Sequence, residues 1–413
     1  MKQLMLRKPI DLESGKEFNK TLTAVDLTFL GVGGIIGTGI FVLTGQAAAV
    51  YAGPAILISF IIAGIVSGFA ALNYSEIASM IPASGSAYSY VYMTMGEFPA
   101  WIIGWDLILE YLVGAATVAV GLSGYLCALL EDFGIPILFE ITNSPLLFDS
   151  ETQSFQYSGA YINLPAFVIV LGITAVLCFG VKESARLNFG AVIIKLVVII
   201  LFIVVAAPYV KRENLEPFIP QNSGSFGKFG VSGIFQGATT VFFAYIGFDA
   251  VSTTAQECKN PQRDLPIGIM ASLFICTVLY IIVTFILTGI VPYTDLNVPH
   301  PIAVGIQHIG VHWLSILVEF GAVAGLTSVL VVNLMSQPRI FYSMAKDGLM
   351  PPIFATVHPV NKTPYVAKLT NTKANSVPIL VNSPRTSIGI VPANIEQTTP
   401  VVIVATYGVL LTG

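Results

Sequence analysis

The chain has 413 residues, of which 55% are apolar and only 10% charged, with a formal net charge of −4. Soluble domains carry about 25% charged residues, so this chain lacks the charged coat that a water-facing surface of its size requires. The balance also supplies no basic field for nucleic acid.

The first twenty residues mix Lys2, Arg7, Lys8, Lys16 and Lys20 with Asp11, Glu13 and Glu17. No short apolar region with a small-residue cleavage pattern follows them, so they do not read as a secretory signal. A bilayer core of about 30 Å is crossed by about 20 apolar residues in a helix, which satisfies its own backbone hydrogen bonds. Runs of that kind recur at 27–50, 54–73, 98–130, 163–181, 188–210, 229–255, 266–291 and 313–338. These eight predicted spans contain few charges: Asp106 and Glu110 in span 3, Lys195 in span 5, Asp249 in span 6 and Glu319 in span 8.

Basic residues flanking spans are retained on the cytoplasmic side. With the N-terminus inside, 15 of the 19 Lys and Arg residues fall in cytoplasmic segments. The loop at 131–162 has five acidic residues and no Lys or Arg, as expected outside. The chain therefore reads as a multi-pass protein of the cell membrane with residues 1–26 in the cytoplasm.

Span 1 contains GVGGIIGTGIF at 31–41, with glycines at 31, 33, 34, 37 and 39. One small-xxx-small pair would serve helix packing. Five glycines in nine residues also let the backbone unwind, which lipid tolerates only where the freed groups line a cavity or meet a ligand. A dinucleotide fingerprint does not fit, because the third glycine of G-x-G-x-x-G is missing and no strand precedes it. In span 6, VFFAYIGFDAVSTTAQE at 241–257 puts Gly247 and Asp249 at membrane depth, where a carboxylate needs a polar cavity or a partner. Interrupted spans in corresponding positions of two halves point to a transporter binding site. Spans 1 and 6 are five apart. The predicted organisation is a first repeat at 27–210 and a partial second repeat at 229–338, followed by a cytoplasmic segment at 339–369 and an atypical polar tail at 370–413.

Four segments carry a family resemblance: GVGGIIGTGIF, PASGSAYSYVYMTMGEFPAWIIGWDLILEY at 82–111, FFAYIGFDAVSTTAQECKNPQRDLPIGI at 242–269 and RIFYSMAKDGLMPPIFATVHPVNKTPYVA at 339–367. In this order they resemble the amino acid–polyamine–organocation permeases, and among those the bacterial relatives of cationic amino acid transporters. The resemblance implies an all-α, broken-helix transporter fold of two inverted five-span repeats, with twelve spans in full-length members. It also implies an amino acid permease working by alternating access and proton symport, with sodium as the second choice of coupling ion, and neither an enzyme nor a cofactor protein.

Residue by residue, the resemblance maps a substrate carboxylate onto the amides of Ile36, Gly37, Thr38, Gly39 and Ile40. It maps the substrate ammonium and side chain onto Phe243, Ala244, Tyr245 and Ile246. A helix N-terminus suits the anion and helix C-terminal carbonyls suit the cation. Lys195 matches the lysine that faces the break in proton-coupled members, since a buried lysine can give up and regain a proton. Its position near the cytoplasmic start of span 5 also permits a side chain that snorkels to the interface. Glu110 can line the pathway or pair structurally, and Asp249 can cap and gate the broken helix or touch substrate.

Eight of twelve spans are expected here, so the wall around the site is incomplete and the tail departs from the family. Three readings of that tail stand: a shifted reading frame, a short subunit that needs a partner chain, and a non-transporting amino acid-binding or sensor membrane protein. Cys127, Cys178, Cys258 and Cys276 and the four histidines show no metal-ligand spacing.

Overall fold

A computed structural model describes residues 7–8, 20–81, 83, 85–132, 134–135, 138–142, 145–149, 154–179, 181–298, 301–358, 364 and 381–382. These are almost entirely helical. Six described helices are long and apolar enough to cross a membrane, and two shorter apolar helices, Ala24–Ile35 and Leu164–Cys178, accompany them.

Span 1 starts at a capping box. The Thr23 N–H and hydroxyl donate to Asp26 Oδ2 at 2.9 and 2.7 Å, and the Asp26 N–H donates back to Thr23 Oγ1 at 3.4 Å. The helix Ala24–Ile35 stops at Ile36, whose ψ of 102° is extended. Helical structure resumes in wide turns at Gly39–Leu43, the kind of local irregularity that gathers at functional sites. It ends at Ala52, and Gly53 with φ +59° turns the chain into span 2, Ile56–Met80. The break expected from the glycines is therefore present, at 36–38.

The other spans are Glu97–Asp132, Leu164–Phe179, Val181–Ala206, a broken span 6, Pro261–Ile290 and His312–Lys346. Span 6 runs from Gly230 to Tyr245, opens at Ile246 and Gly247, and continues as a tight 3₁₀ helix over Asp249–Glu257. Several helices outrun the apolar stretches that predicted them. Span 2 keeps its turns through the polar LNYSEIASM, and span 8 continues eight residues past 338 into the family segment. Hydropathy sees the lipid-bathed part only, whereas backbone hydrogen bonding carries the helix beyond it.

The first half of span 1 (span 1a, Ala24–Ile35) packs on span 7 (Pro261–Ile290) and the first half of span 6 (span 6a, Gly230–Phe242) packs on span 2, while spans 3 and 8 pack on each other. Each contact maps onto another when five is added to or subtracted from the span number, which is the relation two five-span repeats produce. The exterior is apolar: Val66, Phe69, Val197, Val204 and Phe274 are each more than half exposed. Ser59, Ser67 and Ser75 of span 2 are buried. A water-soluble helix would invert that pattern, and a membrane-embedded one requires it.

Two short helices, Ser86–Thr94 and Pro301–His308, lie in segments too short to be read as spans. In the 131–162 loop, β1 (Leu146–Asp149) pairs antiparallel with β2 (Ser154–Tyr157), Leu146 opposite Tyr157. Of the tail beyond 370, only β3 (Val381–Asn382) is described, parallel to β1. The rest of the expected tail, and the N-terminal residues 1–6 and 9–19, lie outside the described residues.

Candidate functional site: two broken helices joined by Tyr280

The two interruptions meet. Ile36, Gly37, Gly39 and Ile40 are buried and Thr38 is half-buried. The second half of span 1 begins at Gly39, so the amides around 37–40 lie at a helix N-terminus, where no carbonyl of the preceding turn can accept from them. Across from them, Ala244 and Tyr245 are buried while Phe243 and Ile246 are half-buried. A Cβ added to Gly39 would lie 2.6 Å from the Ala244 Cβ and 2.8 Å from the Tyr280 hydroxyl. The residues expected to form one site are thus brought together. Their chemistry is complementary at short range: free amides and a positive helix end from span 1, carbonyls and a negative helix end from span 6.

Lys195 is fully buried. Its ammonium donates to the carbonyls of Val32, Gly33 and Ile36 at 3.0, 3.1 and 2.7 Å and to Ser328 Oγ at 2.7 Å. The Gly33 and Ile36 carbonyls lie at the end of the first half of span 1, where no further helical N–H follows to satisfy them, and the Val32 carbonyl also accepts from the Ile36 N–H at 3.0 Å. The snorkelling alternative is therefore set aside: the side chain runs inward to the break. Ser328 is also within reach of the carbonyls of Gly33 and Gly325, at 3.0 and 2.7 Å, and fixes the cradle from span 8.

Tyr280 of span 7 was not singled out in the sequence. Its hydroxyl lies 2.8 Å from the carbonyl of Ile35 and 2.7 Å from that of Ala244. One O–H proton is thus shared between the ends of the two half-helices, where neighbouring negative dipole ends would otherwise face each other unrelieved. Tyr245 donates to the Phe60 carbonyl at 2.9 Å, tying the span 6 break to span 2. A lone hydroxyl inside an apolar run was the only signal for Tyr280, and many membrane tyrosines give the same one.

Asp249 is buried and opens the 3₁₀ segment. Tyr111 donates to Asp249 Oδ2 at 2.6 Å. Glu110, half-buried on span 3, faces the same carboxylate closely enough for the two charges to interact. Among the described residues no group of three or more His, Cys, Asp or Glu side chains is placed to hold a metal ion.

A broken span 1, a broken span 6 and a five-span repeat define a secondary-transporter architecture. The same fold is found in a solved structure, a substrate-bound, outward-open Na+-coupled sialic acid symporter, at a TM-score of 0.58 and 12% identity, over 88% of this chain and 75% of that one. The amino acid permease family model matches residues 22–403, and the chain belongs to that family.

Among its relatives, the methylthioribose transporter of Bacillus subtilis is 46% identical over 369 residues, 88% of this chain and 76% of the relative. The branched-chain amino acid permease BcaP of Bacillus subtilis is 48% identical over 353 residues, 85% of this chain and 72% of the relative. The vacuolar cationic amino acid transporter 4 of Arabidopsis thaliana is 37% identical over 370 residues, 88% of this chain and 60% of the relative. These relatives are transporters and permeases, not enzymes, and the chain is a multi-pass membrane protein.

Proposed function

We propose that this chain moves an amino acid across the cell membrane by alternating access, in symport with protons, with its N-terminus in the cytoplasm. The amino acid class follows the family and the relatives named as a branched-chain amino acid permease and a cationic amino acid transporter. The carboxylate sits on the amides of 36–40 and the ammonium near the carbonyls at 243–246, a pairing that any α-amino acid presents. The orientation rests on the excess of Lys and Arg in the segments assigned to the inside.

One observation carries the coupling: the Lys195 ammonium occupies the carbonyl cradle at the end of span 1a. A protonated amine has three N–H donors for these acceptors, and a neutral amine has two. Loss of the proton releases at least one carbonyl of span 1a and weakens its hold on spans 5 and 8. Proton binding is then linked to the position of the broken helix by the reciprocity of coupled equilibria. A sodium ion would compete for the same oxygens that the ammonium already fills, so it is the weaker choice.

The test is uptake of labelled amino acids into vesicles containing the purified protein. A proton gradient without sodium is expected to drive accumulation in the wild type. Lys195→Ala is expected to lose pH-dependent uptake while retaining substrate counterflow. Unchanged pH dependence in the variant removes Lys195 from coupling. Saturable binding with no uptake under either a proton or a sodium gradient would favour a binding or sensor role.

A further inference from the structure

The loop that leads from span 5 into span 6 ends in a turn that holds one aromatic ring out of the protein. Phe226 is 88% exposed, yet the backbone around it is fixed. The Asn222 side chain donates to the carbonyls of Ser225 and Phe229 at 3.0 and 3.1 Å and to Ser232 Oγ at 3.1 Å, and it accepts from the Gly224 N–H at 2.8 Å. Phe229 has a φ of +61°, a strained value for an aromatic residue. It is held there by its N–H on the Tyr51 carbonyl at 2.7 Å and by its ring, 5.6 Å from that of Tyr293. A loop that only connects two helices through water needs no such framework.

The turn does not stand clear of the bundle. It folds back along span 6a: the Gly227 N–H donates to Ser232 Oγ at 3.3 Å, and a Cβ on Gly227 would lie 3.2 Å from Gln236 Cγ. Ser232 and Gln236 precede the break at Ile246 by about 21 and 15 Å of helix rise. With the break at mid-membrane, that range is the boundary between the acyl chains, which end about 15 Å from the centre, and the headgroups, which end about 20–22 Å from it. Next to Ser232 and Gln236 on the helix, Val231 and Phe235 are more than half exposed and belong to the lipid-facing exterior. The turn therefore lies along the edge of that surface at headgroup depth.

Its polar groups suit that depth. The N–H groups of Ser223, Lys228, Phe229 and Gly230 donate to the carbonyls of Lys228, Ser225, Tyr51 and Pro220, and those of Gly224 and Gly227 donate to the Asn222 and Ser232 side chains. Beside lipid an irregular loop must satisfy its backbone within the protein, whereas in water the solvent does so. Lys228 is exposed two positions from Phe226, and its stem can lie along apolar surface with the ammonium among headgroups. We propose that the 222–229 turn is a membrane anchor, with the Phe226 ring inserted at the boundary of acyl chains and headgroups, where aromatic side chains settle. Through Phe229 and Tyr51 the anchor holds the adjoining ends of both broken spans at one height in the bilayer. The partner is the lipid interface itself, and the anchoring does not depend on which solute the protein carries or on how transport is coupled.

The experiment uses the full chain, one copy per phosphatidylcholine nanodisc, carrying Phe226→Trp with Trp101→Phe, Trp105→Phe and Trp313→Phe, so that the introduced indole is the sole one. Its emission is expected to be quenched by phosphatidylcholine brominated near the headgroup end of the acyl chains, less by lipid brominated near the methyl end, and little by aqueous acrylamide. Quenching by acrylamide and by neither lipid puts the ring in water and overturns the anchor. Shielding from acrylamide and from both lipids puts the ring against protein and overturns it as well. Because an indole itself favours the interface, Phe226→Asp in the otherwise wild-type chain supplies a second reading. Withdrawing the ring and placing a charge at that depth is expected to lower the unfolding temperature in nanodiscs by a few degrees. The same change at a water-exposed tip leaves stability nearly untouched, so an unchanged unfolding temperature also overturns the anchor.

Discussion

Gly34 and Gly247 press against each other, backbone to backbone, where the two broken spans cross. Gly247 has φ +119°, and a Cβ there would fall 2.8 Å from the carbonyl carbon of Gly34. Both the backbone conformation and the contact therefore demand glycine at 247. Gly247→Ala is expected to lower amino acid binding by at least about tenfold, because the half-helices must part to admit the methyl group. Gly68→Ala is the control, since a Cβ there meets nothing within 4 Å. Equilibrium binding by purified, monodisperse protein checks both. Wild-type affinity in Gly247→Ala would show that the close approach is dispensable.

The same geometry explains why Gly39→Val should fail. Its Cβ would approach the Ala244 Cβ to 2.6 Å even before the two further methyls are placed. Binding should be lost with the protein still folded, as judged by its elution as a single species. Retained binding in Gly39→Val would move the site away from the two breaks.

Much of this was legible in the sequence because it is local. Glycine density at 31–39 and the IGFD run at 246–249 mark interruptions through backbone freedom alone, without knowledge of neighbours. The rotation of a helix about its axis is not local. Depth along span 5 placed Lys195 equally well at the interface or at the break, and only packing against spans 1 and 8 decided it. Tyr280 shows the limit most clearly. It joins Ile35 to Ala244 across 245 and 36 positions of sequence, and no periodic signal encodes that relation. Helix ends were misjudged for another reason: polar turns at 74–80 and 339–346 stay helical outside the apolar layer.

Tyr280→Phe removes a hydroxyl of about the same shape-neutral cost as any buried O–H, but it leaves two helix-end carbonyls without their shared donor. Each unsatisfied buried acceptor costs about 1–3 kcal/mol. The variant is expected to fold, with a lower unfolding temperature, and to show a raised KM for uptake. The freed carbonyls can still be satisfied by a substrate ammonium, so maximal rate should fall less than apparent affinity. Uptake kinetics in vesicles with a matched orientation check this. An unchanged KM would assign Tyr280 to packing alone.

At the far end of span 6, Arg339 and Glu257 form an ion pair at 2.5 Å with side chains 3% and 2% exposed. Arg339 also donates to the Met335 carbonyl, and the Glu257 carbonyl accepts from the N–H groups of Thr21 and Leu22 at 2.9 and 3.0 Å. The pair therefore ties span 8 to the segment that leads into span 1. Removing one partner strands a buried charge, at a cost of about 3–5 kcal/mol, whereas neutralising both avoids that penalty. Arg339→Gln alone should strongly destabilise the detergent-solubilised protein, and Arg339→Gln with Glu257→Gln should recover part of the loss. A double variant no more stable than the single one would show that the two side chains act independently.

Cys258 offers a readout of the same junction. It lies just beyond span 6, is fully buried, and is bridged by backbone to Leu22, whose carbonyl accepts from Lys259 N–H at 2.9 Å. Burial, with the Asp264 carboxylate adding to it, pushes the thiol up to about 11. The thiolate is the reactive form, so at pH 7 only about one in ten thousand molecules presents it. In a variant retaining Cys258 as its sole cysteine, maleimide labelling should be slow at pH 7. It should keep rising about tenfold per pH unit through pH 9, where an ordinary exposed thiol has already levelled off. Substitutions that loosen the Leu22 bridge, such as Arg339→Gln, should both speed labelling and move the plateau to lower pH, because they expose the thiol to water. Fast labelling of the parent at pH 7 would mean that Leu22 does not cover Cys258 in the membrane, and the junction between spans 1, 6 and 8 would then be open at rest.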